Sequence, residues 1–117
     1  MTCPDTIATF PLGDFPLDCG MVLDGAWLTY RVIGTPAAGS GNVVLLPSYY
    51  TGNHTSYDAM IGPGKALDPR HWCIVIPDMF GNGHSPSPSN WRGSGPFPRI
   101  TIADNVRAQH RLLREGL

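Results

Sequence analysis

Two short apolar runs constrain the fold of this chain more than any other feature. Val43-Val44-Leu45-Leu46-Pro47 and Trp72-Cys73-Ile74-Val75-Ile76-Pro77 are continuous rather than alternating. A strand apolar at every position suits a sheet covered on both faces, the usual setting of parallel strands. Residues 48–71 separate the two runs, too long a stretch for a hairpin and long enough for a crossover. Ahead of them, "MVLDGAWLTYRVIG" carries β-rich residues on both sides of Asp24-Gly25. Asp-Gly is a strong two-residue hairpin signal, so strands are expected at about 17–23 and 26–33.

The last segment, "TIADNVRAQHRLLREGL", reads as a helix. Thr101 and Asp104 have capping-box spacing, with Asp in place of the usual Glu. Ile102, Val106, Gln109 and Leu113 share one face. Arg107, Arg111 and Arg114 suit the negative end of the helix dipole, and Gly116 is a plausible stop. "SYDAMIGPGKALDP" reads as a short helix or turn broken at Gly62-Pro63-Gly64. The order is hairpin, strand, short helix, strand, helix, and it implies an α/β fold with a parallel sheet.

Composition narrows the function. A net charge of −1 and the lack of a basic, aromatic-interleaved stripe argue against a nucleic-acid partner. No apolar run approaches a membrane span. "MTCPDTIATF" does not read as a signal peptide, and the expected compartment is the cytoplasm. Cys3, Cys19 and Cys73 are odd in number and irregular in spacing, which argues against a disulfide framework or a zinc site; no metal is expected. Gly 14 and Pro 12 point to long loops, the longest being "MFGNGHSPSPSNWRGSGPFPR" at 79–99.

Chemistry concentrates where each apolar run ends. The first run leads into "SYYTGNH" and the second into "DMFGNGHSPSPSN". Ligands of open α/β sheets bind at the carboxyl ends of the strands. Asp78 stands at that edge, where a lone carboxylate caps the next loop or touches substrate. Asp58 and Asp68 would serve only in principle as partners in a two-carboxylate site. "GPG" at 62–64 and "GNG" at 81–83 do not fit a phosphate loop. His54 and His84 lie on the loops at this edge; His71 and His110 are expected at the surface.

"PSYYTGNH", "IGPGKALDPRHWCIVIPDMFGNGHSPSPSN" and "FPRITIADNVRAQHRLL" together resemble the N-terminal half of the homoserine O-acetyltransferase family, across roughly residues 20–117. That family has the α/β-hydrolase fold. The resemblance implies an antiparallel hairpin followed by parallel strands with crossover helices, the N-terminal portion of one such domain over 1–117. It implies that the Tyr50 backbone N–H is an oxyanion-hole donor, because the loop after the third strand supplies one. Tyr49, Thr51, Gly52, His54, Asn82 and His84 are the implied substrate-binding residues. No Gly-x-Ser-x-Gly is present, and Ser85 in "GHSPSPS" lacks the flanking glycines. In the family the nucleophile elbow follows the next strand, with the acid and histidine later, so the triad is expected outside this chain.

The implied activity is acyl transfer through an acyl-serine, with acetyl-CoA as possible co-substrate, no bound cofactor, and small-molecule acyl donor and acceptor as partners. An α/β-hydrolase giving the acyl group to water is the second enzyme reading, because residues 79–90 depart from the Gly-Gly-Cys and Gly-Thr-Thr-Gly-Pro pattern of homoserine acetylation. A non-catalytic truncated or split-protein half is the reading of another class. The missing following strand would leave Val43–Leu46 as an open edge. A C-terminal segment, or self-association, would be expected to cover it.

Overall fold

The computed structural model describes residues 3–93 and 95–117, so the "GSG" at 93–95 falls partly outside the described residues. Strand β1 spans Asp5–Pro16, β2 Val22–Ile33, β3 Val43–Leu45 and β4 Cys73–Pro77; helix α1 spans Ile102–Glu115. They form one four-stranded sheet in the order β1-β2-β4-β3. β1 and β2 are an antiparallel hairpin, and β4 pairs antiparallel with β2. β3 runs parallel to β4, with Val43 opposite Cys73 and Leu45 opposite Val75. The fold class is therefore as the two apolar runs imply, with β3 at the sheet edge.

The hairpin differs from expectation. Its turn is not Asp24-Gly25 but the Leu17–Met21 segment, where the Leu17 N–H donates to the Met21 carbonyl at 2.8 Å and the Gly20 N–H to the Leu17 carbonyl at 3.0 Å. The strand expected at 17–23 is this turn and the start of β2, and β1 lies earlier. Asp24-Gly25 sits inside β2, opposite a break in register between Gly13 and Phe15. Gly25 and Gly13 take φ of 58° and 68°, and the Gly25 N–H donates to the Asp14 carboxylate at 3.3 Å. Asp-Gly supplies positive φ equally well to a bulge and to a turn. Pro11, Gly13 and Pro16 disguise β1, and an edge strand tolerates them.

All five residues of β4 are buried, and their alternation serves two cores. Cys73 and Val75 join Leu12, Phe15, Leu23, Leu28, Ala108 and Leu112 on the side that packs against α1. Ile74 and Ile76 join Ile33 on the other side, against Leu46, Tyr57, Ile61 and Leu67. The β3–β4 crossover contains only a one-turn 3-10 helix at Asp58–Met60, so the first expected crossover helix is reduced to a single turn.

Helix α1 begins as its sequence indicates. Thr101 Oγ1 accepts from the Asp104 N–H at 3.1 Å, and the Thr101 N–H donates back to Asp104 Oδ2 at 2.8 Å. The Gly116 N–H closes the end on the Leu112 carbonyl at 2.8 Å. The buried face is a different stripe from the one read in sequence. It comprises Asp104, Asn105, Ala108, Gln109 and Leu112, while Ile102 and Val106 are 71% and 59% exposed. Ala108 and Leu112 meet the sheet, and the polar residues of this face find partners: Asn105 Oδ1 accepts from the Phe80 N–H at 2.9 Å. No helix of the described residues is long and apolar enough to cross a membrane.

Candidate active-site edge

The carboxyl ends of β3 and β4 lie side by side, because the two strands are parallel. The pairing continues past β3: the Leu46 N–H donates to Val75 and the Ser48 N–H to Pro77, at 2.8 and 3.1 Å. Ser48 Oγ accepts from the Met79 N–H at 3.0 Å. The chain leaves the sheet at Tyr49 and turns back at once, with the Gly52 N–H donating to the Tyr49 carbonyl at 2.7 Å. Thr51, not Gly52, carries the positive φ of this turn, at 69°. Gly52 is needed for room: a Cβ there would stand 3.0 Å from the Tyr49 ring and from Ser56 Oγ. Tyr50 at the tip is 95% exposed, and among the described residues its N–H makes no hydrogen bond.

Asp78, just past β4, is fully buried and organises both loops. Its Oδ1 accepts from the His54 N–H and from Asn82 Nδ2, both at 2.8 Å. Its Oδ2 meets His54 Nδ1 at 2.6 Å. Asn82 Oδ1 accepts from the His84 N–H at 3.0 Å, and the His84 ring stands edge-on to the His54 ring with centroids 5.0 Å apart. The His84 carbonyl accepts from Trp27 Nε1 and Thr29 Oγ1, both at 2.9 Å. Ser85 is buried; its hydroxyl accepts from the Thr29 N–H and donates to the Asp78 carbonyl at 2.7 Å, a structural use of this hydroxyl.

An open cleft of about 640 Å³ lies beside this network. Ser48 to Asn53 line it on one side, Met79 to Asn82 on another, and Ile100, Thr101, Ile102 and Asn105 at the start of α1 on a third. Backbone N–H groups and hydroxyls on an apolar wall make a surface suited to a small polar-headed molecule.

No protein-family model matches the chain. Over 108 residues it is 40% identical to an ethyl acetate hydrolase of Pseudomonas veronii, covering 89% of this chain and 31% of that protein. It is 32% identical to a homoserine O-acetyltransferase of Chlorobium chlorochromatii, covering 97% of this chain and 34% of that one. The solved structure of an acetylester hydrolase from Corynebacterium glutamicum superposes with a TM-score of 0.87 at 36% identity, over 94% of this chain and 33% of that chain. This is the N-terminal part of an α/β-hydrolase fold. The chain spans about a third of the length of the curated relatives it matches, and these include both homoserine O-acetyltransferases and ester hydrolases.

Within the α/β-hydrolase frame, the structure gathers Tyr49, Tyr50, Thr51, Gly52 and Asn82 on the cleft wall. His54 and His84 do not line the cleft; they belong to the Asp78 network behind it. His71 and His110 are exposed. His54, Asp78 and His84 offer ligand atoms within 4.8 Å of one another, a grouping that cysteine spacing alone could not reveal. As arranged, both Asp78 oxygens are occupied by N–H donors of His54 and Asn82, and the His84 ring meets His54 only edge-on. Sequence reasoning placed Asp78 at the strand end but missed its link to His54, and it missed Ile100, Thr101, Ile102 and Asn105 as cleft wall. Those four sit near the cleft through the packing of α1, which no local pattern announces.

The other acids are spent elsewhere. The Arg70 guanidinium, with the Gly64 and Arg70 N–H groups, holds Asp68 well below the usual carboxylate range. Asp58 pairs with Arg31 at 2.5 Å. Arg31 also holds Asp5, whose pKa is lowered chiefly by that hydrogen bond. Neither Asp58 nor Asp68 faces Asp78 as a carboxylate pair would require.

Proposed function

We propose that this chain forms the oxyanion-side third of an enzyme that moves a short acyl group, acetyl first, through an acyl-serine to water. One observation carries the reading: the loop after β3 is tied down at Ser48 and at His54, and between them the Tyr50 N–H points at no protein acceptor. In this fold that loop supplies one donor to the oxyanion hole. The serine, contributed from beyond this chain, would attack the ester carbonyl. The negative oxygen of the tetrahedral intermediate would sit against the Tyr50 N–H and a second N–H beside the nucleophile. The leaving alcohol takes up a proton, and water then releases the acid. Such a donor matters only while charge develops, and losing one costs about 3 kcal/mol of transition-state stabilisation.

Water as acceptor is favoured by the higher identity to the ethyl acetate hydrolase, at 40%, and to the acetylester hydrolase, at 36%. The second reading keeps the same half-site but takes acetyl from acetyl-CoA to a hydroxyl such as that of homoserine. It is favoured by the match to the Chlorobium homoserine O-acetyltransferase over 97% of this chain.

The complete enzyme containing this segment tests both. It should hydrolyse p-nitrophenyl acetate and show little acetyl transfer from acetyl-CoA to homoserine; the reverse pattern supports the second reading. Tyr50→Pro, which removes the N–H, should lower turnover by about a hundredfold or more, while Tyr50→Phe keeps most of it. Equal losses in both folded variants would show that the hydroxyl, not the backbone, is what matters.

A further inference from the structure

The cleft loop has few contacts of its own. Tyr50 packs on almost nothing, and the 49–52 turn closes through one backbone bond, from the Gly52 N–H to the Tyr49 carbonyl; around it the Tyr49 ring stands edge-on to Tyr57 and the Asn53 N–H donates to Ser56 Oγ at 2.9 Å. A segment with so little local support opens easily unless its ends are fixed. One end is fixed by Ser48 in the sheet. The other is fixed by His54, and twice over: its backbone N–H reaches one oxygen of Asp78 and its ring reaches the other. A carboxylate can only accept, so Nδ1 carries the ring proton. The acceptor itself does not move, because Asp78 is buried and also held by Asn82 Nδ2. The His84 ring stands edge-on to the His54 imidazole.

Any residue at position 54 could offer the backbone bond. The His54 carbonyl also accepts from Arg31 Nη1 at 3.1 Å, but only the ring adds a second attachment to Asp78, which resists pivoting of the loop end about the first. We propose that His54 is a positioning residue for the Tyr50 N–H, acting through the two-point clamp on Asp78. The inference rests on the acyl-transfer reading above and adds a role for a histidine that is not among the residues lining the cleft. A displacement of about 1 Å in a catalytic group costs on the order of a hundredfold in rate, so a partly loosened clamp should cost about tenfold.

The test compares three forms of the complete enzyme: wild type, His54→Ala, and His54→Asn, whose side-chain amide can stand in for Nδ1–H. Turnover of p-nitrophenyl acetate and hydrogen exchange of the 49–54 peptide are measured on the same preparations. In His54→Ala, kcat should fall about tenfold with KM within twofold, and the peptide should exchange faster; His54→Asn should recover most of both. A folded His54→Ala with unchanged kcat and unchanged exchange overturns the clamp, and so does a His54→Asn form that behaves like His54→Ala. If wild type has no acyl activity on any short ester, the functional reading fails and exchange alone judges the clamp. Should His54→Ala not fold, His54→Gln replaces it, since its amide stands one bond too far out to reach Asp78 as Nδ1 does.

Discussion

Two buried aspartates organise two loops of this molecule in opposite ways. Asp68 satisfies itself locally: its partners are the Gly64 N–H and the Arg70 N–H and guanidinium, all within four residues. Asp78 reaches His54, 24 residues earlier, as well as Asn82 close by. The first arrangement shapes one turn and leaves the rest of the fold indifferent. The second welds the loop after β3 to the loop after β4, and the candidate site lies along that weld. A carboxylate that bonds far along the chain can fix the relative position of two elements, and one that bonds only its neighbours cannot.

Removing the long-range hub should have the largest effect. Asp78→Ala strands the His54 N–H, the His54 ring and the Asn82 amide around a buried void, at about 1–3 kcal/mol for an unsatisfied group, so a loss on the order of 3 kcal/mol or more is expected. Urea unfolding followed by circular dichroism would read it. A loss under about 1 kcal/mol would mean that water replaces the carboxylate and that the weld is weak.

Asp104 is an intermediate case. It closes the α1 capping box and also accepts from the Asp18 N–H at 2.9 Å, 86 residues away. Burial pushes its carboxyl up, but the Thr101 and Asp18 N–H groups, the Thr101 hydroxyl and Arg107 together hold it below its ordinary value. Thr101→Ala removes the cap and the exposed hydroxyl bond to Asp18 Oδ2, keeps the Asp18 N–H bond to Asp104, and should cost about 1 kcal/mol. Asp104→Ala keeps the residue-104 N–H bond to Thr101 Oγ1 but strands the Thr101 and Asp18 N–H groups, and should cost more. If the two variants unfold at the same urea concentration, the link to Asp18 contributes nothing.

Asp68 gives the smallest and most local effect, visible in acid. Its folded-state pKa is depressed, so the stability it contributes is complete above the ordinary carboxylate value, about 3.9, and is lost as pH falls below it toward the folded value. Asp68→Asn should therefore differ from wild type most at neutral pH and converge with it in strong acid, with hydrogen exchange changed only near residues 64–70. Faster exchange at 49–54 in that variant would erase the contrast between the two hubs.

The exposed edge of β3 offers a further check. Among the described residues, Val43–Leu45 pair on one side only, with Cys73–Val75. We expect the chain alone to associate as concentration rises, and a segment supplying the next strand to suppress it; sedimentation velocity would follow both. A monomer at all concentrations would show that this short edge recruits nothing.

Much of this was legible in the residues. β3 and β4 announce themselves as unbroken apolar runs, and the α1 start is written in Thr101 and Asp104, because strand burial and capping are short-range chemistry. The positive φ at Gly25 was legible too, but its use was not. Whether Asp-Gly makes a turn or a bulge depends on a partner strand that Pro11, Gly13 and Pro16 conceal. The helix face was misread for a similar reason. Ile102 and Val106 are the apolar choice in isolation, yet α1 turns Ala108 and Leu112 to the sheet and lets Asp104, Asn105 and Gln109 be buried because distant groups satisfy them.

By itself, the sequence determined the α/β class, the parallel β3–β4 pair and the two strand-end loops on which chemistry concentrates. Hydrophobic burial and turn chemistry act over a few residues, and a few residues suffice to read them. The tertiary structure alone decided that His54 stands behind the cleft rather than in it, that Ser85 is a strut between β2 and Asp78, and that Asp78 rather than Asp68 joins two loops. A hydrogen bond has no preference for sequence distance, so which donor a buried carboxylate finds is settled only when the sheet has brought the strand ends together.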